Sequence, residues 1–179
     1  MERHEKVTKV VAKFFNENRD TTPYASADTM RAFDQTIRNG LADGLARAAS
    51  TWRAIYQRQS QVVGTASRDK PFLDREMMAA LRDYKQWADM LSGLGSRIHA
   101  LPAPANDRVF HRIRNNDQLL ETLITLDCQL AIIAEAVDEL GHTLTLDNAG
   151  ELGSQFSSKV TELEGVLSER SSLLSKVVG

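Results

Sequence analysis

The 179-residue chain is long enough to bury a core without disulfides or metal, and short enough to be one domain. Hydrophobic residues at 42% and charged residues at 26% argue against disorder over most of its length, while four prolines and ten glycines leave room for long helices. A net charge of −2 excludes a general electrostatic grip on nucleic acid or on an acidic membrane, and the single cysteine, Cys128, excludes an internal disulfide.

The charge is unevenly distributed. Residues 1–101 carry 16 Lys+Arg against 12 Asp+Glu, and residues 102–179 carry 6 against 12, so the two halves attract each other. That attraction favours pairing of the halves within one molecule, with head-to-tail assembly as the sharper alternative. The opening residues Met1 to Lys6 offer no apolar core of signal-peptide length, and nowhere do about 18 apolar residues run together. A cytoplasmic, non-spanning protein is expected, with peripheral membrane contact left open.

Residues 3–18 predict a first amphipathic helix. Val7, Val10, Val11, Phe14 and Phe15 fall at the spacing that gathers side chains on one face, with Lys6, Lys9 and Lys13 opposite. Such a helix suits docking on the bundle, on a partner groove or on an anionic membrane surface. Asp20-Thr21-Thr22-Pro23 ends it, so residues 1–25 read as helix plus linker.

A second helix is expected over 26–66, with Ser26 or Thr22 as cap. Met30, Leu41, Trp52 and Val63 recur every 11 residues, as do Phe33, Gly44, Ile55 and Ala66, a period that keeps one face of a nearly straight helix on its partner. Gly40, Gly44 and Ala48 share a side and predict a close helix crossing, the alternative being a bend near Asn39-Gly40.

The third helix is expected over 71–101, where Met77, Leu81, Tyr84, Ala88, Leu91, Gly95 and Ile98 step as heptads and Trp87 and Leu94 widen the stripe to reach two neighbours. Two prolines in 102–107 break the chain at a hairpin. The fourth helix, over 107–141, has the densest seam, Leu119, Leu123, Leu126, Leu130, Ile133, Val137 and Leu140, and is expected to be central. Gly141 reads as its stop.

The fifth helix, over 148–177, starts with a capping-box spacing at Asn148 and Glu151, and its heptads are interrupted by Arg170. Residues 26–179 therefore read as one all-α domain, an elongated antiparallel four-helix bundle, with residues 3–18 as an accessory helix.

Chemistry is sparse. Phosphate loops, paired-cysteine metal sites and nucleophile elbows are missing, and the lone Glu139-x-x-His142 unit lacks the second copy that a di-iron site needs. Neither metal nor cofactor is expected, and no catalytic residue is assigned.

Asp127 projects into the apolar arc of Leu123, Leu130 and Ala134, where a carboxylate must find a partner. It is either a structural polar contact or the centre of a core pocket in an enzyme or sensor. Asp34, Gln59 and Asn116 also project near apolar faces. Arg108, His111, Arg112 and Arg114 form the one compact basic cluster and a candidate anion site.

Nucleic-acid binding lacks a basic face with interleaved aromatics. The leading expectation is a non-catalytic scaffold or adaptor whose apolar helix faces bind a partner chain or a second copy, most simply as a homodimer. The alternatives are membrane attachment through residues 3–18 and a bundle enzyme or sensor built on Asp127.

Overall fold

The computed structural model describes residues 26–64, 74–101, 113 and 115–178. Residues 3–18 and the basic cluster at 108–114, apart from Ile113, lie outside them. The described residues form four helices: α1 (Ala27–Val63), α2 (Arg75–His99), α3 (Asp117–Thr143) and α4 (Ala149–Val178).

Local chemistry sets the ends. Ser26 caps α1 in a capping box, its Oγ accepting from Thr29 N–H at 3.1 Å while its own N–H donates to Thr29 Oγ1 at 2.9 Å. Gly64 closes α1 at φ 69°, a conformation open to glycine, with its N–H donating to Ser60 O at 3.0 Å. That stop falls three residues before the expected one.

Asp74 caps α2 by accepting from Glu76 N–H and Met77 N–H. Asn116, rather than a residue near 107, caps α3 by accepting from Leu119 N–H at 3.1 Å. Asn148 does not form the expected capping box with Glu151. Its side chain turns back, accepting from Thr145 N–H and donating to Thr143 O, and so ties the loop between α3 and α4.

The helices alternate in direction, as an antiparallel bundle requires. α1 and α2 form one hairpin layer, α3 and α4 the other, and the layers stack with α1 on α3. This contact is parallel, since Gly44 meets Ala134 and Ala48 meets Gly141.

α3, expected over 107–141 to be central, packs on both α1 and α4. α1 packs on both α2 and α3 and has 14 buried residues. Its 11-residue repeat reaches inward throughout, with Met30, Leu41, Trp52 and Val63 all buried. Trp52 is the hub: Tyr84, Trp87 and Phe156 place ring centroids 5.7, 6.2 and 5.8 Å from it, joining α1, α2 and α4.

The close crossing involves a glycine first read as a stop. Gly141 lies inside α3, and a Cβ there would fall 3.1 Å from Ala48 Cα and 3.2 Å from Ala48 Cβ. Gly44 also lies on this seam, 3.4 Å from Ala134 O by the same measure, whereas Gly40 is exposed with nothing within 4 Å and takes no part. α1 is continuous through Asn39-Gly40, without the alternative break there.

Gly141→Val is expected to force α1 from α3 and destabilise the fold by about 1–3 kcal/mol. Gly165→Ala, into open space on α4, should stabilise it by about 0.5–1 kcal/mol. Urea denaturation of both variants checks the pair.

Candidate functional site

Among the described residues, four charged side chains are buried: Asp34 and Arg38 from α1, Asp127 from α3 and Arg170 from α4. They form a chain of alternating sign. Arg170 donates from Nε to Asp127 Oδ1 at 2.7 Å and from Nη2 to Asp34 Oδ1 at 2.5 Å. The other oxygen of Asp34 lies 2.8 Å from Arg38 Nη2, an ion pair whose angle falls outside hydrogen-bond geometry.

Arg38 continues outward, donating from Nη1 to Leu101 O at 2.5 Å and from Nη2 to Gln35 Oε1 at 3.1 Å. Leu101 lies just past the end of α2, so this one layer ties together all four helices. A guanidinium there also faces the negative end of the α2 dipole.

The electrostatics follow from burial. Desolvation pulls the pKa of Arg170 down, but Asp127 and Asp34 together outweigh it and hold the group above the ordinary guanidinium value. The planar fork of arginine suits this bridging role, because it offers separate N–H groups to two carboxylates. Among the described residues, Arg38 Nε and Trp52 Nε1 are buried without an acceptor.

Asp127, at 2% exposure, is therefore a charge partner in a packed layer. The sequence marked Asp34 and Asp127 separately and Arg170 only as an interrupted heptad; the structure joins them. Arg38 was missed, although its i, i+4 spacing from Asp34 was a usable signal. Asn116 is a helix cap and not part of this layer.

The wider surface offers other geometry. A groove of about 460 Å³ between α2 and α4 is lined by residues including Trp52, Tyr84, Trp87, Met90, Gly150 and Gly153, and none of the four buried charged residues borders it. His142 is exposed and lies 3.7 Å from Asp138, which Arg47 pairs at 2.6 Å. Among the described residues, no group of three or more His, Cys, Asp or Glu could hold a metal ion, and no helix is long and apolar enough to cross a membrane.

The layers differ in charge. α1 and α2 carry nine Lys+Arg against six Asp+Glu, and α3 and α4 carry three against ten. The uneven halves of the sequence have become opposed layers, with Arg47–Asp138 and Arg97–Glu164 pairing between them. α3 alone has six acidic residues and neither Lys nor Arg.

Beside its core seam, α3 bears a row at four-residue steps, Leu120, Ile124, Cys128 and Ile132, with Ala131 adjacent; all are half-buried. Ile124, Ala131 and Ile132 belong to neither of the two core clusters. Glu121, Glu135 and Glu139 are exposed around that row.

Arg170→Met should leave two carboxylates buried without their shared cation and cost about 3–5 kcal/mol. Replacing the whole layer, Asp34→Leu, Arg38→Met, Asp127→Leu and Arg170→Met together, should recover most of it, as measured by urea unfolding. Burial, then the Asp127 carboxylate, pushes the Cys128 thiol up. At pH 8 the folded protein should therefore be alkylated by iodoacetamide at least about tenfold more slowly than the urea-unfolded chain, since the thiolate is the nucleophile. Raising the pH should accelerate the folded protein only above the ordinary thiol range.

No protein-family model matches the chain, and comparisons with curated proteins and with solved structures find no similar protein.

Proposed function

We propose that the chain is a non-catalytic helical interaction protein whose acidic, apolar-edged α3 receives a basic amphipathic helix from a second copy or a partner chain. The observation that carries this reading is the α3 row itself. Ile124, Cys128, Ala131 and Ile132 offer half-buried apolar surface on a helix with neither Lys nor Arg. Helix-in-groove recognition uses this combination, with apolar anchors at helical spacing supplying affinity and complementary charge supplying register and on-rate.

The engagement of Asp127 by Arg170 supports a non-catalytic role. The one carboxylate that the sequence offered for acid–base chemistry is held in a layer of balanced charge, away from the groove between α2 and α4. Among the described residues, the exposed large apolar side chains, Val62, Met78 and Leu146, sit apart in sequence and supply no row comparable to that of α3.

Calorimetric titration of the protein with a synthetic 16-residue peptide, lysines on one face and Val and Phe on the other, tests the reading. Saturable binding is expected, weakened at least about tenfold by Ile132→Glu and reduced in 0.5 M salt, at which screening shortens to about 4 Å. Absence of saturable binding, or binding indifferent to Ile132→Glu, overturns the reading.

A further inference from the structure

We infer that the resident occupant of the α3 surface is residues 3–18 of the same chain, so that an external helix binds by displacing an internal one. The inference rests on the reading of α3 as a surface for a basic amphipathic helix, and it commits to an occupant that the chain itself supplies.

Position is the first argument. Ser26, where the described chain begins, caps α1 at the end where Met30 packs with Ile113 and Leu123, so the N-terminal segment joins the bundle beside the start of α3. Because α1 and α3 run parallel, Ser26 lies at the same end of the bundle as the start of the α3 row.

Length is the second argument. Seven residues, 19–25, separate the amphipathic stretch from Ser26 and span at most about 25 Å when extended. A 16-residue helix is about 24 Å long, and the row from Leu120 to Ile132 covers about 18 Å. Tether and helix both match the surface.

Chemistry is the third. Val7, Val10, Val11, Phe14 and Phe15 form a stripe that fits a shallow apolar row, while Lys6, Lys9 and Lys13 on the other face add only the longer-range attraction of a basic segment for an acidic helix. A tethered ligand acts at high effective concentration, so weak contacts suffice to hold it and a stronger partner still displaces it.

Cys128 lies in the row and is the only cysteine in the sequence, which permits a direct test. Val7→Cys, Val11→Cys and Phe14→Cys each place one new thiol on the apolar stripe of the full chain, at positions spaced so that one falls near Cys128 in either orientation. Lys9→Cys places it on the opposite face as a control.

Under mild oxidation with diamide, at least one stripe variant should form an intramolecular disulfide, seen as a faster-migrating monomer on non-reducing gels, at least about tenfold more completely than Lys9→Cys. A disulfide-linked dimer as the main product would assign the surface to a second copy and overturn the inference. So would no disulfide in any stripe variant.

The outcomes separate the two proposals. Peptide binding that depends on Ile132, without an intramolecular disulfide, keeps the surface and discards the internal occupant. An intramolecular disulfide in a protein that binds no peptide keeps the internal contact and discards the external function.

Discussion

The buried alternation Arg38–Asp34–Arg170–Asp127 is the constraint on which the rest of the bundle depends. Desolvating four charged groups costs several kcal/mol per ion unless each meets opposite charge in good geometry. That geometry requires α1, α3 and α4 to hold one register, and Arg38 extends the requirement to the end of α2. An apolar seam tolerates sliding by a turn far better than a charge chain does. The layer therefore selects one packing of four helices whose heptads would accept several.

The same layer divides the core. On one side lies the large cluster around Trp52, Leu91, Leu130 and Phe156. On the other lies a small cluster of Met30, Ile113 and Leu123, edged by Leu119, Leu120, Leu173 and Leu174. Two apolar units of unequal size, separated by a polar plane, lack continuous hydrophobic packing. The smaller unit is the one beside Ser26, with Ala27 packed against it.

Periodicity was legible in the sequence because it is local. The 11-residue repeat of Met30, Leu41, Trp52 and Val63 and the heptads of Leu123, Leu130 and Val137 name buried residues directly. The conflict at Asp127 was visible too, since a carboxylate in an apolar arc demands a partner. Its solution was not, because Arg170 lies 43 residues from Asp127 and 136 from Asp34, and only the packing of the layers brings them together. Gly141 illustrates the same limit: a glycine near a helix end reads as a stop, and only the proximity of Ala48 explains its small size.

The aromatic hub has a consequence for how the molecule can be watched. Both tryptophans of the chain, Trp52 and Trp87, stack at 6.2 Å on the large-cluster side of the ionic layer. Intrinsic emission therefore reports one end of the bundle and is blind to the other. An event confined to the Met30–Ile113–Leu123 end would leave the spectrum unchanged while the helices there separated, so an optically two-state transition would not establish that the whole bundle moves as one.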